Sequence, residues 1–141
     1  MNISARTHYA TVALAELAIR REEGEPVSLA EIANKHSIPG PFLTQIFRTL
    51  RSAGWVRSVR GAGGGYRLCV APETVTVLDI AEKMGCGEVP PTADPNASAC
   101  SRQVAQLWTR ADEAARETLR GQTLADVLET IRDGDAAMYF I

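Results

Sequence analysis

The sequence predicts a mainly helical fold with one small β-hairpin. Three features of its 141 residues support this fold class. Apolar residues recur at helical spacing in several segments, and a glycine-rich run separates two short stretches of strand-forming residues. The segment 101–120 has the apolar spacing of one long helix.

Composition places the chain among ordinary soluble globular proteins, since 45% of its residues are hydrophobic and 23% are charged. No apolar run approaches the roughly 20 residues of a transmembrane helix, and no signal peptide opens the sequence. We therefore expect a cytoplasmic protein without a membrane partner. No nucleophile–base pair or carboxylate pair stands out, which predicts that the protein is not an enzyme.

Charge is distributed unevenly along the chain, whose net charge is −2. Residues 32–72 contain six basic and no acidic side chains, whereas the rest of the chain has nine basic and seventeen acidic ones. Such a window on an otherwise acidic protein predicts a surface that binds a polyanion. The six basic residues are Lys35, Arg48, Arg51, Arg57, Arg60 and Arg67.

Two short helices joined by a tight turn are predicted after a first helix at 4–21. The second helix, 28–36, opens with a capping box in which Ser28 and Glu31 satisfy each other's backbone donors. The third helix, 41–53, has a proline in its first turn and Gly54 as its stop signal. This arrangement is a helix-turn-helix.

A β-hairpin is predicted directly after the third helix. Residues 55–59 and 66–70 are rich in strand-forming types, and four of the six residues between them are glycines. A hairpin in this place is a wing, so we expect a winged helix-turn-helix domain over residues 1–72. A phosphate-binding loop would instead open a helix and carry a lysine, and the glycine run does neither.

The remaining chain divides into a connecting region, 73–100, and a C-terminal region, 101–141. The first contains a helix at 76–84 and a proline-rich loop at 85–98, which we expect to be a cofactor or sensor loop. The second contains the long helix and a final helix at 123–132. A small domain offers little room for the apolar stripe of the long helix, which predicts a homodimer; packing on its own chain is the alternative. The stripe consists of Val104, Leu107, Trp108, Ala111 and Ala115.

Double-stranded DNA is the polyanion that this architecture predicts, with the third helix lying in a major groove. A solvated basic surface and a winged-helix protein-interaction module are the alternatives. The predicted DNA contacts are Pro41, Thr44 and Gln45 at base edges, Arg48 and Arg51 at phosphates, and Arg60 of the wing tip in a minor groove.

Residues 54–68, GWVRSVRGAGGGYRL, resemble the wing signature of the IscR/NsrR/CymR family of bacterial transcription regulators. Residues 42–51 resemble its recognition helix and residues 77–80 the helix after its wing. The likeness covers essentially the whole chain. It implies a regulator that acts as a homodimer joined through the long helix and binds a dyad-related operator.

Many members of that family carry an iron–sulfur cluster on three closely spaced cysteines, but only Cys86 and Cys100 lie in the corresponding region here. His8 and His36 match positions where some members place a cluster ligand. The resemblance therefore implies a redox-sensing 2Fe–2S cluster held by these four residues. Zinc on the same residues, a redox disulfide, and a cofactor-free regulator are the alternatives. Cys69 is predicted to be a core residue.

Overall fold

Six α-helices and one antiparallel two-stranded sheet make up residues 1–87 and 94–138, the parts of the chain that the computed structural model describes. The helices are α1 (Ala5–Glu23), α2 (Leu29–His36), α3 (Gly40–Ser52), α4 (Val77–Lys83), α5 (Ala99–Arg120) and α6 (Leu124–Met138). The strands are β1 (Val56–Val59) and β2 (Gly65–Leu68), and a 3-10 turn, Pro72–Thr74, precedes α4. The predicted fold class, mainly helical with one small hairpin, is confirmed.

Most helix starts follow the predicted capping signals. The Oγ of Ser4 accepts a hydrogen bond from the backbone N–H of Thr7 at 3.2 Å and so caps α1. At α2, the Oγ of Ser28 accepts from the N–H of Glu31 at 3.1 Å. The capping box predicted there is only half formed, because the Glu31 carboxylate pairs with Arg20 of α1 instead. A partner eleven residues away thus outcompetes the local backbone donor.

The helix-turn-helix packs around α1, whose middle is buried. The turn between α2 and α3 contains Ser37, which adopts a left-handed conformation with φ 53°. Helix α3 is amphipathic, and one face enters the core while the opposite face remains in solvent. The buried residues of α3 are Leu43, Ile46, Phe47 and Leu50.

The wing is joined to the segment between α1 and α2 by an isolated antiparallel β-bridge. Val27 donates to the carbonyl of Tyr66 at 3.0 Å, and Tyr66 donates to the carbonyl of Val27 at 2.7 Å. The prediction that Cys69 is a core residue is wrong, since its side chain is exposed. Leu68 faces the core, and side chains alternate between the two faces of a strand, so the next residue points to solvent.

The C-terminal region shares the core of the N-terminal region. Leu124 donates to the carbonyl of Val75 at 2.8 Å, and Leu124 and Leu128 are buried in the same cluster as α1. Helix α6 extends to Met138, past the predicted end at 132. Its Gly134 does not end the helix, because one glycine costs only about 1 kcal/mol relative to alanine.

The long helix begins two residues earlier than predicted, because Ser98 caps it. Cys100 consequently lies within its first turn rather than before it. At 22 residues, α5 is about 33 Å long. Residues 88–93 of the predicted sensor loop lie outside the described residues. Within 1–87 and 94–138, no helix combines the length and apolarity that crossing a membrane requires.

Replacing Gly65 tests how tightly the wing is held. A Cβ at this position would lie 2.3 Å from the carbonyl oxygen of Val27 and 2.7 Å from the nitrogen of Ser28. We expect Gly65→Ala to lower the free energy of unfolding by about 1–3 kcal/mol, because this backbone cannot shift without losing the pairing of Val27 with Tyr66. Urea unfolding measures the difference.

Gly63→Ala is the matched control in the same hairpin, since a Cβ there meets nothing within 4 Å. It should leave stability within about 0.5 kcal/mol of the original protein. Equal losses in the two variants would contradict the close approach.

Candidate nucleic-acid interface and histidine groove

The exposed face of α3 carries five of the six predicted DNA-contact residues. We call this face the recognition surface; it consists of Pro41, Thr44, Gln45, Arg48 and Arg51, all of which are exposed. It lies on the opposite side of α3 from the buried residues, so packing in the core fixes its orientation.

Two side chains of the recognition surface have hydrogen-bonding properties that suit base edges. The hydroxyl of Thr44 donates to the carbonyl of Gly40 at 3.0 Å, which leaves its methyl group free for contact with a thymine methyl. Gln45 has no side-chain hydrogen bond to any described residue, so its amide is free to bond an adenine edge.

The wing adds arginines beside the recognition surface. Arg60 is exposed at the hairpin tip. Arg57 of β1 lies directly opposite Arg67 of β2, a like-charge pair that is unfavourable unless an anion lies nearby. Arg67 donates to the carbonyl of Gly24 at 2.8 Å, whereas Arg57 is exposed. Arg57 was not among the predicted contacts, although strand alternation in the acid-free window signals it.

Ion pairing separates these arginines from several others in the chain. Arg48, Arg51, Arg57 and Arg60 are exposed and pair with no carboxylate in the part of the chain that the structure describes. By contrast, four arginines on α1, α5 and α6 pair with carboxylates: Arg20, Arg116, Arg120 and Arg132. The charge of Lys35 is offset by Glu16, so the acid-free window presents four exposed, unpaired cations.

A cavity of about 480 Å³ opens between α1, α2 and α6. We call it the histidine groove, because both histidines of the chain, His8 and His36, line it. Much of its wall is apolar and includes Val12, Ile19 and Ile131. The structure thus brings together two of the four predicted metal ligands.

A buried carboxylate fixes one end of the groove. The Glu16 side chain accepts hydrogen bonds from Nζ of Lys35 at 2.9 Å and lies 3.2 Å from Nε2 of His36, although Glu16 is only 5% exposed. Burial alone would raise the pKa of Glu16, but hydrogen bonds and charges from Lys35 and His36 outweigh it and hold the pKa below its ordinary value. This contact ties the last turn of α2 to α1. In the sequence, an acidic residue within the apolar run of α1 is the one feature that indicates this buried contact.

The two cysteines of the predicted ligand set lie elsewhere. The Sγ of Cys86 is buried, 3.0 Å from the hydroxyl of Thr7 and 3.1 Å from the carbonyl of Asn2. Cys100 is exposed on α5. Among the described residues of one protomer, no three His, Cys, Asp or Glu side chains are placed to hold a metal ion. One protomer therefore does not assemble the four-ligand set.

The predicted dimerisation stripe is open to solvent. Val104, Leu107 and Trp108 are 44%, 54% and 55% exposed, Ala111 is exposed, and Ala115 is half-buried. A different side of α5 packs on α4, where Arg116 bonds Asp112 and Glu82. Among the described residues, the three large side chains of the stripe thus remain largely in solvent, whereas Ala115 lines a small pocket with Met1 and Ile3.

A model of the Rrf2 family, described as "Iron-dependent Transcriptional regulator", matches residues 3–130. The chain belongs to the Rrf2 family. It is 34% identical to the regulator CymR of Bacillus subtilis over 139 residues, which cover 99% of this chain and 97% of CymR. It is also 46% identical to the regulator IscR of Cereibacter sphaeroides over 83 residues, 58% of this chain and 54% of that protein.

Solved structures agree with this assignment. The structure of B. subtilis CymR (YrzC), described as the global cysteine regulator, matches with a TM-score of 0.78 at 32% identity, and the match covers 92% of this chain and 98% of CymR. T. potens IscR matches with a TM-score of 0.76 at 32% identity, covering 95% and 90%. The resemblance and the winged-helix class are confirmed. The chain is a DNA-binding transcriptional regulator, and its relatives are named regulators rather than enzymes.

Proposed function

We propose that this Rrf2-family regulator binds a dyad-related operator as a homodimer, with α3 in the major groove and the wing in a minor groove. The observation that carries this proposal is the set of four exposed arginines on α3 and the wing without carboxylate partners among the described residues. Phosphates are the counterions that such a surface lacks.

Each part of the surface has its own role in this arrangement. Pro41, Thr44 and Gln45, in the first half of α3, meet base edges, as the N-terminal part of a recognition helix does. Arg48 and Arg51 bind phosphates and fix the register. Arg60 enters a minor groove, where its charge is attracted by the strong negative potential.

The homodimer follows from the α5 stripe. Three large apolar side chains are each about half exposed in one protomer, and burying them would be favourable. A second copy of the chain supplies an identical stripe across a two-fold axis. The two copies of α3 would then face half-sites about 34 Å apart along the duplex. In this arrangement residues 1–72 bind DNA, residues 73–100 connect the two ends of the chain, and residues 101–141 form the dimer, as the predicted division requires.

Selection from a pool of random DNA duplexes tests this function directly. We expect enrichment of a sequence with dyad symmetry, and an affinity that falls with salt. Duplex binding without salt dependence and without any enriched sequence would favour the protein-interaction module instead.

Arg60→Ala should weaken binding to the selected operator about fivefold or more and relax sequence preference at one minor-groove position, because it removes a contact that reads groove shape. Fluorescence anisotropy on variant operators measures both effects. Lys83→Ala is the control, since Lys83 is an exposed cation on α4, outside the surface. If Arg60→Ala leaves the affinity and its salt dependence unchanged, the wing tip does not contact DNA.

Leu107→Asp should convert the dimer into folded monomers, because it places a charge in the centre of the apolar stripe. Sedimentation velocity measures the mass, and circular dichroism checks the fold. Glu113→Asp, an exposed position on the same helix, is the control and should stay dimeric. If Leu107→Asp remains a dimer of the original mass, the dimer interface does not lie on the α5 stripe.

We further propose that the histidine groove is half of a cofactor site that the homodimer completes. His8 and His36 of one protomer would supply imidazole ligands, and thiolates of a second protomer the others. Cys100 is exposed and suits this role, whereas Cys86 would have to exchange its hydrogen bonds with Thr7 and Asn2 for the metal. The family description and the IscR relatives support a 2Fe–2S cluster, which when bound supplies one-electron redox chemistry; zinc is the alternative.

His36 would couple this site to DNA binding through its position next to the recognition helix. It forms the last residue of α2, and Glu16 holds it against α1 immediately before the turn that leads to α3. A change in what His36 contacts therefore bears on the orientation of the recognition surface. A coupling of about 1–3 kcal/mol between the two sites is enough for regulation.

Anaerobic purification followed by iron, sulfide and zinc analysis and visible absorption tests the cofactor. We expect a coloured protein with iron and sulfide in equal amounts, and loss of both in His36→Ala. Cys69→Ser, at the exposed thiol beside the wing, is the control and should keep the colour. Stoichiometric zinc would select the alternative metal, and colourless, metal-free protein after reconstitution would leave a cofactor-free regulator.

A further inference from the structure

One cation outside the acid-free window lies against the recognition helix. Arg6 belongs to the first turn of α1, and its Nη2 donates to the hydroxyl of Thr49 on α3 at 2.7 Å. Thr49 follows Gln45 by one helical turn, and its own hydroxyl lies 3.4 Å from the Gln45 carbonyl. Arg6 therefore reaches from α1 to the edge of the surface that we assign to DNA.

Arg6 has hydrogen-bonding capacity that the described residues do not use. A guanidinium has five N–H donors, and the Thr49 hydroxyl accepts from only one nitrogen of Arg6. The Nε of Arg6 is shielded from solvent and has no partner, and no described carboxylate pairs with the side chain. Arg20 also has an unpartnered Nε, but its charge is balanced by Glu31.

The position of Arg6 within α1 makes an anion more favourable still. The first turn of a helix carries partial positive charge, which disfavours a cation there. The first turn of α1 contains no acidic residue that would compensate. A bound anion would offset both the guanidinium charge and the helix end.

We propose that Arg6 is a further DNA contact, a phosphate-binding residue that Thr49 orients at the edge of α3. The inference rests on the proposed placement of α3 in a major groove. At about 100° per residue, Thr49 and Arg51 lie about 160° apart around α3, with Gln45 between them. Arg6 and Arg51 then flank the base-reading residues on opposite sides, where the two phosphate strands that border a groove lie.

The guanidinium suits this contact better than an ammonium group. Its planar fork bonds two phosphate oxygens at once, and the Thr49 contact holds one nitrogen so that less side-chain entropy is lost on binding. Arg6 would thereby connect α1, the helix that also lines the histidine groove, to the DNA backbone.

Salt dependence distinguishes a phosphate contact from a structural role. The probe is a mixed-sequence 30-base-pair duplex, and fluorescence anisotropy gives the binding constant at several salt concentrations. Arg6→Gln should weaken binding about tenfold and reduce the slope of log K against log salt by about 0.9 for each Arg6 in contact. Thr49→Val should weaken binding a few-fold with an unchanged slope, because the charge remains but is no longer oriented.

Arg120→Gln is the matched control, since Arg120 pairs with Glu117 on α5, and it should keep the original affinity and slope. Arg6→Lys should restore the slope that Arg6→Gln loses. If Arg6→Gln does not fold, Arg6→Met keeps the aliphatic stem and should show the same loss of slope. If a folded Arg6→Gln or Arg6→Met variant keeps the original slope of log K against log salt, the proposed contact between Arg6 and phosphate is wrong. A salt-independent original protein would instead overturn the proposed DNA binding itself.

Discussion

Burial of α1 is the constraint on which the rest of the structure depends. Helices α2, α3, α4 and α6 and the second wing strand all pack against this one helix. Its buried face alternates small and large side chains, with Ala10, Ala13 and Leu14 fully enclosed, so that several elements approach it closely. The recognition surface and the histidine groove are consequently positioned by α1, and the long helix attaches through α4, which also packs on α1.

Much of this fold was predictable because its signals are local. Helix caps and the glycine-tipped hairpin depend on residues three to six positions apart, and the amphipathic pattern of α3 determines which face remains in solvent. Long-range competition is what the sequence does not reveal. The Glu31 carboxylate pairs with Arg20 instead of completing the capping box. Glu16 is stabilised in the core by partners nineteen and twenty residues away.

The same distinction applies to the functional residues. The six predicted DNA contacts are exposed, as their positions on α3 and the wing required. Arg6 was not predicted, because its contact with Thr49 spans 43 positions and its charge lies outside the acid-free window. For the proposed cofactor site, the chain brings His8 and His36 into one groove but separates them from Cys100. If two chains share that site, as we propose, distances within one chain do not assemble it.

The geometry of α5 also has a consequence for how the proposed homodimer would assemble. Ala105 and Asp112, which are buried against the rest of the chain, lie about 95° around the helix from the middle of the exposed apolar stripe. A protomer can therefore complete its interior before it meets another copy, and pairing in the proposed homodimer leaves that interior intact. Occupancy of a two-part operator then responds to the square of the protomer concentration wherever monomers predominate. Modest changes in synthesis or degradation would thus produce larger changes in transcription.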